Sequence, residues 1–151
     1  TDPMVDRSAA AYVTFLDAQP KTDKRRKAAV QGYCMSGPLS FRSAAASPDR
    51  IGAVATFHPG ALVTDKPSSP HLLIPKTRAS YLVIIAKNDA EKMPKEKADL
   101  EAAFAAAKRP ATVQISSANH GWTVAGSQTY DEKEAERAWA ELLPFYRKAI
   151  G

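Results

Sequence analysis

Gly32-Tyr33-Cys34-Met35-Ser36-Gly37 is the stretch from which the rest of the chain can be read. It holds the only cysteine, follows the apolar run Ala28-Ala29-Val30, and precedes a segment from Leu39 to Ala46 with helical character. Strand, sharp turn and helix follow in order. A nucleophile on such a turn stands on a strained elbow above a sheet, and small residues on either side let strand and helix approach closely. The usual pattern is Gly-x-nucleophile-x-Gly. Gly32 fills the first small position; Ser36 occupies the second, with Gly37 one place late. Taken alone, the hexapeptide is equally compatible with a buried, inert cysteine in an ordinary strand–helix turn.

Outward from the elbow, the periodicity predicts alternating helices and strands. Residues 7–18 place Ala9, Tyr12, Val13, Phe15 and Leu16 at helical spacing, and Gln19-Pro20 ends the run. The elbow strand is expected over Lys27–Tyr33 and its helix over Pro38–Ala46. Ile51–Phe57 is apolar on both faces and bounded by breakers, as a buried parallel strand should be. Pro59 to Lys76 contains four prolines and reads as a long irregular loop with one helical turn at most. Ala79–Ala86 is the strongest strand pattern and belongs deep in the sheet. Pro94–Lys108 predicts a helix, Ala111–Ser116 a strand, and Tyr130–Ile150 a closing helix whose Pro144 is a candidate kink. Right-handed crossovers between parallel strands follow, with functional groups gathered at the strands' carboxyl ends.

The 151 residues suit a single domain spanning residues 1–151. A hydrophobic share of 44% and a charged share of 25% are those of a globular chain rather than a disordered one. No apolar run is long enough to cross a bilayer, and the first residues lack a secretory pattern, so a cytoplasmic location is expected. One cysteine permits no internal disulfide and leaves its thiol free for chemistry. The formal charge of +5 raises nucleic-acid binding as a possibility, since Lys21 to Lys27 is strongly basic. That run lacks interleaved aromatics and sits in an expected helix-to-strand loop, so neither nucleic acid nor membrane is expected as a partner.

Cys34, Asp89 and His120 each fall just beyond an expected strand, so a parallel sheet projects all three from one rim. Their order, nucleophile then acid then histidine, is that of the α/β-hydrolases. The residue types fit the chemistry. A histidine partner and a helix amino terminus lower a thiol's pKa, the acid fixes the imidazole's tautomer and offsets its charge, and the Met35 backbone N–H offers an oxyanion donor. Each has a plainer alternative: Asp89 as a turn residue, His120 as a hydrogen-bonded loop histidine. His58 precedes the acid and His71 lies in the proline-rich loop; both are expected to line a pocket or face solvent rather than act as base.

The sequence also resembles the dienelactone hydrolases, cysteine members of the α/β-hydrolase fold. The resemblance rests on the elbow hexapeptide, Phe57-His58-Pro59-Gly60, Ser69-Pro70-His71-Leu72-Leu73, Asn88-Asp89-Ala90, His120-Gly121-Trp122 and Tyr130-Asp131, and so runs through nearly the whole chain. It implies Cys34 as nucleophile, Asp89 as acid and His120 as base, with Tyr33, His58 and Trp122 as substrate-binding candidates and no metal or organic cofactor. Two departures stand out: Ser36, whose extra atoms are expected to loosen the elbow, and Trp122 where phenylalanine is commoner. Family members carry further strands before the elbow helix, including a loop that supplies a second oxyanion donor. The expectation is therefore a parallel α/β sheet with flanking helices, a carboxyl-terminal part of an α/β-hydrolase domain lacking the amino-terminal strands. Its elbow strand would have an open edge, covered by a further amino-terminal segment or by an oligomer. The implied function is hydrolysis of activated esters or lactones through an acyl-cysteine; the alternative is an inactive fragment or binding protein that keeps the three residues as a relic.

Overall fold

A computed structural model describes residues 2–151. Helix α1 (Asp2–Ala18) leads into β1 (Ala28–Tyr33), α2 (Ser36–Ala46) and β2 (Ile51–Phe57). After a long connection ending in a 3-10 helix (Pro70–Lys76) come β3 (Ser80–Ile85), α3 (Lys87–Lys92), α4 (Glu96–Ala106), β4 (Ala111–Ile115) and α5 (Glu132–Ile150). The four strands form one parallel sheet in the order β1-β2-β3-β4. All the carboxyl ends therefore share one rim, as the strand-and-helix alternation requires.

Every residue of β2 is buried, and so is every residue of β3 after Ser80, because both lie inside the sheet with helices on its two faces. Alternation sorts their side chains. Val54, Tyr81, Val83 and Ile85 join Phe41 of α2 and Leu100 and Phe104 of α4 in one core cluster. Ala55, Phe57, Leu82 and Ile84 join Trp122 and Ala138 and Leu142 of α5 in a second. The two clusters are the two faces of a period-2 sheet.

Several expectations shift in detail. Only Ala9 of the α1 stripe is buried and Val13 half-buried, while Tyr12 and Phe15 are about 70% exposed. The helix packs on α2 rather than on the sheet and is tied down by charge: Arg42 donates to both Asp6 oxygens at 2.9 and 2.8 Å, and Arg50 grips Asp17 at 2.6–2.8 Å. Two such clamps relieve α1 of the need for a wide apolar face. Helix α5 runs unbroken through Pro144 and buries Ala138 and Leu142, leaving Trp139 and Leu143 exposed. Its cap is Asp131, which accepts from the Glu134 N–H at 3.0 Å.

The proline-rich connection is braced along its length. Buried Glu96 accepts from the backbone N–H of Leu62 at 2.6 Å and Val63 at 3.3 Å. Buried Ser69 accepts from Thr64 N–H at 2.8 Å and contacts His71 Nδ1 at 2.7 Å. His71 thus acts within its own loop. In the basic stretch, Arg25 pairs with Asp23 at 3.0 Å, and Lys27 donates to the Asp49 carbonyl.

Candidate active site

The elbow is built by close approach. Cys34 has a φ of 48°, the left-handed region that a side-chain-bearing residue enters only under constraint. The constraint is visible: the Cys34 carbonyl accepts from Gly37 N–H at 3.1 Å and Gly60 N–H at 2.8 Å. An added Cβ at Gly32 would overlap Ser40 Oγ and the Ser36 carbonyl, lying 2.7 Å from the carbonyl carbon. One at Gly37 would overlap Pro59 Cβ and lie 2.9 Å from its Cα. Both glycines are therefore needed, each against a different neighbour. Ser36 does the opposite of what its extra atoms suggested. Its Oγ accepts from Tyr33 N–H and donates to Tyr33 C=O, both at 2.7 Å, so it ties the turn closed.

Asp89 and His120 arrive from neighbouring loops. Asp89 sits in the first turn of α3, a one-and-a-half-turn helix that the residues after β3 gave no periodicity to foresee. Lys87 N–H donates to the Ala118 carbonyl at 2.9 Å and His120 N–H to Asn88 Oδ1 at 2.8 Å, clipping the two loops together. Asp89 Oδ2 then meets His120 Nδ1 at 2.5 Å. This leaves Nε2 of His120 as the free ring nitrogen.

Closest to the thiol is a different histidine. His58 Nδ1 lies 3.2 Å from Cys34 Sγ, and His58 Nε2 lies 2.7 Å from Thr123 Oγ1. His58 is fully buried, so of the two places expected for it, pocket lining or surface, the surface is excluded; it lies beneath the sulfur. It too has a positive φ, 37°, at the carboxyl end of β2, with its N–H donated to the Ile84 carbonyl at 2.8 Å. The His58 and His120 rings are 5.0 Å apart, and Sγ and one nitrogen of each ring all fall within 4.8 Å of one another. Position at a strand's carboxyl end could have flagged His58 as it flagged Cys34. Nothing in the sequence marked Thr123.

Trp122 is buried entirely, its indole packed edge-on against His58 at 4.7 Å between ring centres. It backs the histidine and does not line an open surface, in contrast to its expected place among substrate-binding residues. Tyr33 stacks on Phe57 at 5.3 Å, and both line an open cleft of about 230 Å³ with Thr123, Tyr130 and Trp139. Met35 exposes its side chain, and its backbone lies at the amino terminus of α2, where N–H groups lack intrahelical partners.

The electrostatics depart from the expected activation of the thiol. Burial, and then the negative charge of Asp89, push the Cys34 thiol above its ordinary pKa. Burial, and then the charge of His120, bring His58 down to about 4. At neutral pH the resting pair is a thiol beside an uncharged imidazole.

A cysteine on a strained strand–helix elbow, an acid and a histidine on successive loops of one parallel rim are the arrangement of the α/β-hydrolase fold. Over residues 1–150 the sequence matches the dienelactone hydrolase family, and the chain belongs to it. Among solved structures it is similar to the dienelactone hydrolase-like promiscuous phosphotriesterase P91 from metagenomic libraries, with a TM-score of 0.75 at 24% identity over 97% of this chain and 62% of that one. A dienelactone hydrolase from Anabaena variabilis gives 0.69 at 16% identity, covering 94% of this chain and 58% of that one. Acylaminoacyl peptidase from Pyrococcus horikoshii gives 0.70 at 14%, covering 92% and 26%. At these identities the likeness is one of fold. The chain spans about 60% of the length of the dienelactone hydrolase-like structures it matches. Among curated proteins nothing matches it. Among the described residues no helix is long and apolar enough to cross a membrane.

Proposed function

We propose that this chain carries the reacting groups of a hydrolase for activated esters or lactones of the dienelactone type, working through an acyl-cysteine on Cys34. The observation that carries this reading is the approach of a sulfur on a strained elbow to an Asp89–His120 pair, a ring nitrogen of His120 lying within 4.8 Å of it.

His120 is the base in this scheme rather than His58. Moving the Cys34 proton to His58 means protonating a group whose pKa is about 4 from a thiol pushed above its ordinary value. Each pKa unit of that mismatch costs about 1.4 kcal/mol, and several units separate the two. Asp89 offsets the charge that forms on His120, and Thr123 offers no such compensation to His58. A small closure on substrate binding brings His120 to the thiol, since catalytic hydrogen bonds are often long in a ligand-free site.

The steps then balance. The Cys34 proton passes to His120, the thiolate adds to the carbonyl carbon, and the Met35 N–H helps hold the oxyanion. Collapse breaks the carbon–oxygen bond, and the leaving oxygen takes the proton from His120. A water then loses its proton to His120 and attacks the thioester. The carboxylic acid departs, and the sulfur is protonated again. Thiolates expel alkoxides poorly, so stabilised leaving groups such as enolates are favoured. Neutral His58 contributes an Nδ1–H to the thiolate when Thr123 Oγ–H donates to its Nε2, which steadies the charge without a transfer.

The rival reading, a binding protein with a relic site, draws on the raised thiol and on the contact of Cys34 with His58 rather than His120. Mass spectrometry of the chain mixed with a p-nitrophenyl ester separates the two. An acyl adduct on the Cys34 peptide, absent in Cys34→Ala and persisting longer in His120→Ala, is expected. Hydrolysis that survives Cys34→Ala refutes the acyl-cysteine. Absence of turnover, with iodoacetamide labelling of Cys34 indifferent to His120→Ala, favours the relic.

A further inference from the structure

The same rim gathers a sulfur and two imidazoles into one cluster. The three donor atoms lie within 4.8 Å of one another, and the Cys34–His58 edge is already 3.2 Å. A tetrahedral zinc held by one thiolate and two imidazoles has Zn–S of about 2.3 Å and Zn–N of about 2.0–2.1 Å, hence donor–donor edges of roughly 3.3–3.6 Å. A His120 movement on the order of 1 Å closes that triangle.

The groups behind the imidazoles point the same way. His120 hands Nδ1 to Asp89 at 2.5 Å, and His58 hands Nε2 to Thr123 at 2.7 Å, which leaves His58 Nδ1 against Cys34 at 3.2 Å and keeps His120 Nε2 available to an ion. A metal-bound histidine is normally oriented in this way, by a carboxylate or other polar group on its second nitrogen. The donor set also selects the ion. One sulfur and two nitrogens suit zinc, while magnesium and calcium require oxygen. His58 is buried at the base of the triangle, and Cys34 and His120 are partly exposed, so an ion can enter from the rim.

We propose that Cys34, His58 and His120 form an inhibitory binding site for Zn²⁺, three protein ligands with a fourth position open to water. On binding, the S–H bond breaks, the proton leaves to bulk water, and the sulfur's electron pair forms the S–Zn bond. The nucleophile and both imidazoles are then occupied together. The inhibitory consequence rests on the hydrolase reading above; the binding does not.

The test titrates the full chain, reduced and metal-free, with Co²⁺ as a spectroscopic stand-in and with Zn²⁺ in a calorimeter. One ion per chain is expected, with a sulfur-to-cobalt charge-transfer band and the visible bands of a tetrahedral ion. Cys34→Ser should abolish the charge-transfer band. His58→Gln and His120→Gln should each weaken Zn²⁺ by at least about tenfold, and Thr123→Val by about tenfold through the orientation of His58. Circular dichroism checks that each variant folds; should buried His58→Gln fail, His120→Gln and Thr123→Val still decide. A cobalt adduct without the sulfur band, or an affinity unchanged in His120→Gln or in Thr123→Val, overturns the site. Zn²⁺ should also stop ester hydrolysis, with EDTA restoring it. An intact sulfur band in a chain with no hydrolytic activity and with iodoacetamide labelling of Cys34 indifferent to His120→Ala would sink the hydrolase reading and leave the metal site standing.

Discussion

Replacing Ser36 by glycine would restore the small residue that the elbow pattern normally has, and a pattern-based argument expects the change to be neutral or helpful. The structure predicts the reverse. Ser36 Oγ makes two hydrogen bonds to the backbone of Tyr33, accepting from its N–H and donating to its carbonyl, each at 2.7 Å in a partly buried turn. Parallel-sheet register places Tyr33 opposite Phe57 at the end of β1. Losing the hydroxyl leaves the Tyr33 N–H without this acceptor, a loss of about 1–3 kcal/mol for a desolvated donor. Glycine at the first residue of α2 adds roughly 0.5–1 kcal/mol of backbone entropy. The sum is about 1.5–4 kcal/mol, or roughly 3–16 °C in Tm for a chain of this size. Urea unfolding of wild type, Ser36→Ala and Ser36→Gly measures both parts, because alanine removes the hydroxyl without freeing the backbone. Glycine should be the least stable and alanine intermediate. A Ser36→Gly chain as stable as wild type would falsify the claim that serine closes this elbow.

Other perturbations test the neighbouring contacts. Asp89→Asn removes the charge from the 2.5 Å contact with His120; turnover of an activated ester should fall ~10²–10⁴-fold, and a loss under tenfold would argue against His120 as base. Gly37→Ala forces a methyl against Pro59 and should cost about 1–3 kcal/mol of unfolding free energy; an unchanged midpoint in denaturant contradicts the crowding. His58 has a folded pKa of about 4, below the ordinary histidine value of 6.5, so the unfolded chain binds more protons between those limits. Stability should therefore be full above about pH 6.5 and fall as pH drops toward 4, by up to about 3 kcal/mol, with His58→Gln flattening that stretch of the profile. Glu134, held near 2 chiefly by Arg137, adds a further loss only below its ordinary 4.5.

The sheet was legible because its strands are buried on both faces. Ile51–Phe57 and the run around Ser80–Ile85 had to read as continuous apolar segments, and both formed strands within a residue or two of the expected ends. Helix faces were less legible. Tyr12, Phe15, Trp139 and Leu143 have the right spacing for a core and yet face outward: the Arg42–Asp6 and Arg50–Asp17 clamps position α1, and α5 enters the core through Ala138 and Leu142 with Ala135, Phe145 and Tyr146 packed beside them. The rim was read by topology: position after a parallel strand brought Cys34, Asp89 and His120 together. What topology could not supply was which histidine touches the sulfur. That depends on the positive φ of His58 and on a threonine hydroxyl from a distant loop, neither of which leaves a periodic trace.

The two imidazoles divide a problem that one could not solve. A partly buried thiol within the field of a carboxylate is held protonated, which protects it while no substrate is present. A charged histidine in permanent contact would favour the thiolate at all times. His58, uncharged at its pKa of about 4, occupies that contact and offers only a neutral N–H, while His120 lies with a ring nitrogen within 4.8 Å of the sulfur and its Nδ1 on Asp89. In the proposed scheme, activation has His120 move toward the sulfur as a substrate draws the rim together. On this reasoning His58→Phe, which keeps the bulk and removes the nitrogen, should slow ester turnover less than His120→Phe. It should also slow Cys34 alkylation in the resting chain by no more than about tenfold at neutral pH, since only a neutral hydrogen-bond donor to the thiolate is lost. If His58→Phe instead abolishes turnover while His120→Phe leaves it intact, the base is His58 and the division of labour argued here is reversed.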